Sequence, residues 1–568
     1  MQLQALTTPN LIHIGMTFRS KEDVIRLLTK QLYKAGKIDS EESFYQAILD
    51  REKLSATGFN LLPYERNEVV TTKVITKLTA FKLEDADGHA VPFEILNKTI
   101  KDPGLIDRQI VHYGNYDPFY EYTIHFKDTL PPMGYKTYWI APSDQQLVTS
   151  FEPKNKVETD FYVISVNTNG TLNILDKRLN KTFRNVLLLE NGGDDGDEDD
   201  YSPLADETLI YSDAVEADVK TTQNQWEAHI DIRLSLEVPS NIEKRKQQVT
   251  DSHVDVRWSI TVPNDRPLIK IHLEIDNHAK DHRLRALIPT GIASDFSIAD
   301  NQFGLIKRAV YDNAMDYWEK ENWDERPDAI YPMLSFVGLS DDTHGLAILT
   351  NSTREYEIVG ENYDTIAVTL FRSVGVLGKE ELLRRPGRPS GIKLPVPDSQ
   401  MLGTLTLDFA LTTHPGRTEE AGVARLAKEY NTPIETYNKI PYNAVKLNPS
   451  ENKTPIQFSL LRERNVDLGN TTSHEGCANP AVTPESGHKT SGPILSTLKK
   501  AESENRLVLR FYNPSETEIQ AAFEWLAPDV PTRIDEANLN EKPLAPIKGS
   551  GSNFAVELKP NQVKTLLL

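Results

Sequence analysis

Two His-x-Asp pairs are the first groups in this sequence with the means to chelate: His229-Ile230-Asp231 and His253-Val254-Asp255. Residues two apart on a strand share a face, so each imidazole and carboxylate would point the same way. A zinc site needs three or four such donors to converge. Each pair supplies two, among alternating apolar neighbours that suit the solvated face of an ordinary strand. No metal ligand is therefore expected among them. An acidic run, Asp194, Asp195, Asp197, Glu198, Asp199 and Asp200, follows glycines 192 and 193 and is broken by Gly196. Such glycines let a backbone turn sharply and gather carboxylates. Three readings stay open for it: a solvated turn, an oxygen cage for calcium, or a rim that hydrogen-bonds sugar hydroxyls. The spacing and terminal glutamate of an EF-hand are missing. Arg384, Arg385 and Arg388, in LLRRPGRPSG, have the planar forks that hold carboxylates and phosphates, or that pair with acids on a surface loop. Trp318 and Tyr331 offer faces for a sugar ring, or for core packing. Cys477, the single cysteine, lies in a Gly-, Pro- and Ser-rich stretch and reads as incidental.

These groups sit on elements of two textures. Near the start, Val24, Leu27, Leu28, Leu32 and Tyr33 recur at helical spacing behind Ser20, and Gly36 stops the run. A second helix opens at Ser40 with Phe44, Ile48 and Leu49 on one face. From Asn60 onward short alternating runs take over, among them DFYVISVNTNGTLNIL, AHIDIRLSLEV and HVDVRWSITV. Asn169-Gly170 predicts a hairpin of type I′, which needs two residues tolerant of positive φ. A helix is expected within TEEAGVARLAKEYN, and strands resume towards the end. The expected succession is an αα segment at 1–59, a β-sandwich at 60–150, a large β-sandwich at 151–413, a helical link at 414–445 and a β domain at 446–568. Long antiparallel strands with few helices imply a mainly β fold of several sandwiches.

Composition narrows the partners. A formal net charge of −20 over 568 residues disfavours nucleic acid and anionic lipid. No apolar run reads as a membrane span, and no secretory signal pattern opens the sequence, so the cytoplasm is the expected location.

Several segments, in order, resemble the C-terminal half of glycoside hydrolase family 38, the α-mannosidases, in its mannosylglycerate-hydrolase-like branch. They are NLLPYERNEVV, LLLENGGDDGDEDDYSPL, HRLRALIPTGI, YPMLSFVGLSDDTHGLAILTNSTREYEI, TLFRSVGVLGKEELLRRPGRPSG and LSTLKKAESENRLVLRFYN. Residues 11–58, with DREKLSATG as their most telling part, resemble the start of a type-2 enzyme IIA domain of the bacterial phosphotransferase system. That domain carries its acceptor histidine in an Ala-Ile-Pro-His segment, where this chain reads Asn60-Leu61-Leu62-Pro63-Tyr64. His13 matches no acceptor position.

The resemblance implies sandwiches of the family 38 C-terminal type, including a mutarotase-like supersandwich. It implies an α-mannoside substrate such as mannosylglycerate or its 6-phosphate, an anion that the arginine loop would suit. It favours the sugar-rim reading for Asp194, Asp195 and Asp197, with Tyr331, Arg384, Arg385 and Arg388 as further rim candidates. Family members are retaining and zinc-dependent, with the aspartate nucleophile and zinc ligands in an N-terminal barrel. That barrel should precede Asn60, where the enzyme IIA-like segment stands instead. No catalytic residue, phosphoryl acceptor or cofactor is therefore expected in this chain, which should be inactive alone. A carbohydrate-binding or scaffold module, and a gene-fusion remnant, are the rival expectations. Self-association is expected if an apolar face is left uncovered.

The helices at 20–54 would normally cover a parallel sheet that is not encoded here, so proteolysis should trim them and leave a β fragment beginning near Asn60. The missing acceptor gives a second expectation. The phosphohistidine carrier protein of the transport system should leave the chain unphosphorylated, because phosphoryl transfer needs a positioned imidazole. Mass spectrometry for an acid-labile phosphohistidine checks this, and finding one at His13 would refute it.

Overall fold

Alternation in sequence becomes alternation of faces. In strand Glu227–Val238 the side chains of Ala228, Ile230, Ile232, Leu236 and Val238 are buried, while Arg233, Ser235 and Glu237 face out. Strand Ser252–Pro263 repeats the pattern beside it, in register from Glu227↔Pro263 to Val238↔Ser252. The computed structural model describes residues 54–76, 78–101, 119–144, 151–439, 456–464, 492–547, 549–550 and 552–568, with isolated positions between 26 and 42. The N-terminal helices lie almost wholly outside the described residues, as do His13 and Cys477; the few described positions at 26–34 are helical. The fold is mainly β, built from stacked antiparallel sheets. No helix among the described residues is long and apolar enough to cross a membrane.

The chain divides into two compact units, one of residues 1–150 with Ile434–Leu460, the other of Phe151–Pro433 with Leu461–Leu568. The two units are thus interleaved along the chain. The cause is strand pairing: Glu435–Lys439 adds to strand Leu54–Asn60, which pairs on its other side with Gly134–Pro142. A second sheet, Arg66–Thr76 with Phe119–Leu130 and Phe93–Lys101, faces this one. Val70, Val74, Phe81, Tyr122, Phe126 and Tyr138 fill the space between. Asn60 pins the turn that follows. Its buried amide donates to the carbonyls of Tyr64 (2.7 Å) and Pro131 (3.0 Å) and accepts from the Leu62 N–H (3.1 Å).

In the second unit a ten-stranded sheet carries Glu227–Val238, Ser252–Pro263, Ile269–Asn277 and Gly403–Pro415 at its centre. Opposite lie a six-stranded sheet centred on His282–Pro289 and Thr365–Ser373, and a four-stranded sheet drawn from residues 157–186. One core joins all three, with Trp258 as its largest fully buried side chain. Helix Val423–Tyr430, inside the stretch expected to be helical, buries Val423 and Ala427 against Phe336, Leu349 and Ala410. Two further sheets, of four and five strands, form the C-terminal sandwich, where Phe523 stacks between Phe511 (4.6 Å) and Phe554 (5.3 Å).

The hairpin at Asn169-Gly170 differs from the type I′ expectation. Gly170 alone has positive φ, 82°, and Asn169 does not. Asn167 N–H donates to the Thr171 carbonyl (2.8 Å), leaving a three-residue loop with glycine in its left-handed position. The Asn169 side chain accepts from the Thr171 N–H (3.1 Å) and hydroxyl (2.7 Å), which holds it out of the left-handed region.

Strand Leu54–Asn60 also moves the expected proteolytic boundary. Both its edges are paired, and the next basic residue, Arg66, is buried against Glu68 at 2.7 Å. Limited trypsin digestion should yield a stable fragment starting no later than Leu54. N-terminal mapping that found the main product starting at Asn67 would show this strand to be dispensable.

Candidate functional site

The acidic run and the arginine loop lie far apart in sequence and meet at one end of the six-stranded sheet. Strand His282–Pro289 is antiparallel to Leu188–Gly193 on one side and to Thr365–Ser373 on the other. Its two neighbours therefore run parallel to each other and finish at the same end, with Gly193 and Ser373 both opposite His282. The segments that follow, from Asp194 and from Val374, emerge side by side. The Glu198 N–H donating to the Val376 carbonyl at 3.2 Å ties one to the other.

Arg372, the second-last residue of its strand, grips the acidic loop. Its Nε donates to Asp194 Oδ2 (2.7 Å), and its Nη2 donates to Asp194 Oδ1 (3.2 Å) and to the carbonyls of Asp197 and Asp200 (2.8 Å each). Asp194 is buried, and that burial pushes its carboxyl above the usual range against the pull of Arg372. Asp197 is buried too, yet lies on the other side of the balance. Burial raises it, but donors from Ser390 Oγ (2.6 Å), the Asp200 N–H (2.8 Å), the Lys379 N–H (2.9 Å) and Arg385 Nη2 (2.9 Å) hold it below the ordinary carboxylate value. Asp195 takes Lys379 Nζ at 2.6 Å. The loop glycines supply space here: none of 192, 193 and 196 has positive φ, and a Cβ on Gly196 would lie 2.0 Å from the Asp200 carbonyl oxygen.

The candidate arginines are spoken for. Arg385 is buried and lies between Asp197 and Asp200, each at 2.9 Å. Arg384 pairs with Asp328. Arg388 reaches Asp324 at 3.0 Å on the surface. Tyr331 packs against Tyr356 (centroids 6.0 Å apart) and under Arg308, at the margin of the main core, and Trp318 is buried. The structure thus joins Asp194, Asp195 and Asp197 with Arg385 in one network, and sets Tyr331 in packing.

Sequence reading missed the residues that organise this network. Tyr201 presents its ring to Arg283 (3.5 Å), Arg384 (5.1 Å) and Arg372 (5.9 Å). Arg285 binds Glu190 at 2.7 Å and also pairs with Glu357. His282, wholly buried between Asn191 (2.6 Å) and Asn277 (3.0 Å), is pushed down to about 3 by burial and by Arg245, and so is neutral. The available signal was charge inside otherwise apolar strands, in HRLRALIP and TIAVTLFRS.

Comparison with known proteins agrees with this architecture. Residues 157–376 match the glycosyl hydrolases family 38 C-terminal domain, and 492–566 match the family 38 C-terminal beta sandwich domain. Residues 5–76 match the phosphoenolpyruvate-dependent sugar phosphotransferase system EIIA 2 domain. Over 401 residues the chain is 26% identical to a provisionally named mannosylglycerate hydrolase of Halalkalibacterium halodurans, covering 66% of this chain and 41% of that protein. It is 24% identical over 311 residues to alpha-mannosidase 2C1 of Mus musculus, covering 53% of this chain and 23% of that protein. The chain therefore spans less than half the length of either relative. The crystal structure of an alpha-mannosidase from Enterococcus faecalis V583 superposes with a TM-score of 0.69 at 18% identity, over 96% of this chain and 60% of that one.

The network makes Asp197 the residue to test. Asp197→Asn should lower unfolding free energy by about 3–5 kcal/mol at neutral pH, because it weakens one side of a buried charge pair. Asp197 has a depressed pKa in the folded state, so its contribution is present above the unfolded carboxyl value and is lost as pH falls through the folded one. Denaturant titrations of both proteins should converge in acid; a constant difference at every pH would refute the charge-pair account.

Proposed function

From a chain that carries the C-terminal domains of glycosyl hydrolase family 38 behind an EIIA 2 segment, we propose that it is the non-catalytic β half of an α-mannosidase-type protein. On this reading it forms one wall of an α-mannoside site and performs no hydrolysis alone. The observation that carries the reading is the acidic loop within the matched 157–376 region, held in one shape by Arg372 and Arg385. A rim that positions a sugar needs such pre-set loops.

The groups for glycoside cleavage are a separate matter. Retaining chemistry needs two carboxyl groups about 5–5.5 Å apart, one as nucleophile and one as acid and base. Asp194 and Asp197 are buried and bound by arginine and backbone donors, which leaves neither free to attack a sugar. The zinc that the family resemblance implies does not fit this network either, where carboxylates face guanidinium groups.

The substrate class that best agrees with the relatives is an α-mannoside, handled in the cytoplasm as part of sugar catabolism. An anionic mannoside gains little from the arginine loop, since Arg384 and Arg385 already neutralise acids. The rival is a carbohydrate-binding scaffold acting without any barrel, and a fusion remnant would show neither activity nor binding.

The purified chain should release no nitrophenol from an aryl α-mannoside, with or without added zinc. Turnover that scales with this protein and survives removal of host mannosidases would overturn the proposal. Calorimetry with mannosylglycerate separates the others: saturable binding favours the scaffold, and its absence favours the remnant.

A further inference from the structure

The two His-x-Asp pairs look alike in sequence and meet different neighbours. His229 is engaged on both ring nitrogens, with Glu227 at 2.9 Å and Thr261 at 3.2 Å. Asp231 takes Ser259 Oγ at 3.1 Å and Arg257 at 3.4 Å. That pair is consumed within its own sheet.

His253 and Asp255 have another setting. Their strand pairs with Ile269–Asn277, and the register Val254↔Asn277 places His278 across from His253 at the next position outward. The two imidazole centroids are 4.6 Å apart. Directly opposed residues of an antiparallel pair share a face, and so do residues two apart on one strand. Three donors, two on one strand and one just past the end of its neighbour, thereby meet on the solvent side. His253 Nε2 lies 3.7 Å from Asp255 Oδ2, and the ligand atoms of His253, Asp255 and His278 all fall within 4.8 Å of one another. Asp276 Oδ2 sits 3.2 Å from His278 Nε2.

We propose that His253, Asp255 and His278 bind a divalent transition-metal ion of the zinc class, with Asp276 orienting His278. Zinc takes imidazole nitrogen at about 2.0–2.1 Å and carboxylate oxygen at about 2.0–2.2 Å, which puts tetrahedral ligands roughly 3.4 Å apart. The present spacing reaches that by small side-chain rotations. These are open to groups that are two-fifths or more exposed: 49% for His253, 51% for Asp255, 42% for His278 and 45% for Asp276. Two nitrogens and a carboxylate select zinc, nickel or copper over calcium and magnesium, which need more oxygen donors. A carboxylate on the outer side of a ligating imidazole fixes its tautomer and raises its basicity. The bound ion would tie the start of strand Ser252–Pro263 to the turn after Asn277. That turn is already held by Ser252 Oγ donating to the His278 carbonyl at 2.8 Å, and it runs on to Asp281, whose carbonyl accepts the Asp194 N–H at 3.0 Å.

The test uses the full chain, titrated with zinc chloride by calorimetry and with cobalt(II), whose visible absorption reports nitrogen ligation. Asp276→Asn should weaken zinc affinity about tenfold, as loss of an outer carboxylate does. His253→Ala and His278→Ala should each weaken it at least as much and remove a cobalt band. His229→Ala serves as the control and should leave both readouts unchanged. A wild-type chain that takes up no zinc overturns the proposal. So does a His253→Ala, His278→Ala double variant that titrates like the wild type, or calcium binding as tight as zinc.

Discussion

Arg372 does two jobs with one guanidinium group, and the shape of the candidate site follows from them. It neutralises a buried Asp194 carboxylate and holds the carbonyls of Asp197 and Asp200. Burying this much charge is expensive, and attraction between ions repays it only when the geometry is good and the remaining lone pairs are satisfied. Here they are. Asp197 receives donors from side chains and from backbone, and Gly196 lets the loop fold back on itself within van der Waals limits. Such a network adds little net stability, yet it admits few alternative loop conformations. Its value is to specify a shape.

The shape depends in turn on strand direction. Because Leu188–Gly193 and Thr365–Ser373 flank one antiparallel partner, their following loops must leave from the same end of the sheet. His282 marks that end as a neutral, fully buried group bonded to two asparagines, which adds no charge to a crowded place. Around it, Arg283, Arg372 and Arg384 share the face and edges of the Tyr201 ring. An aromatic ring can lie beside several guanidinium groups because its quadrupole attracts cations without needing one partner for each.

How much of this could be read beforehand follows from the range of each interaction. Strands such as Glu227–Val238 were legible because alternation is local, and the helix near 423 because its apolar positions repeat every third or fourth residue. The acidic run and the arginine loop were legible as composition. Their pairing was not, since Asp197 and Arg385 are 188 residues apart and Asp194 and Arg372 are 178. The return of Glu435–Lys439 to strand Leu54–Asn60 was hidden for the same reason. Periodicity shows which face of a strand is buried, but not which distant strand it will pair with. The Asn169-Gly170 turn failed differently. The dipeptide marks a hairpin correctly, while the Asn169 side chain, by bonding Thr171, chose the turn type.

Folding of the β units does not depend on activity. Each β unit closes a core from its own strands, with Val70, Phe81 and Tyr138 in one and Ile230, Trp258 and Tyr356 in the other. A chain built this way has what it needs to fold whether or not it works, so a well-packed sandwich is no argument for function. Function shows only in groups whose arrangement packing does not require. The buried ion pairs meet that test poorly, because they also hold the loop together. The exposed imidazoles of His253 and His278 meet it better. Nothing in the core calls for two histidines and two aspartates on adjoining strands, and identical chemistry at His229 and Asp231 is already used up by hydrogen bonds. What separates the two pairs is the residue across the sheet, Thr261 in one case and His278 in the other.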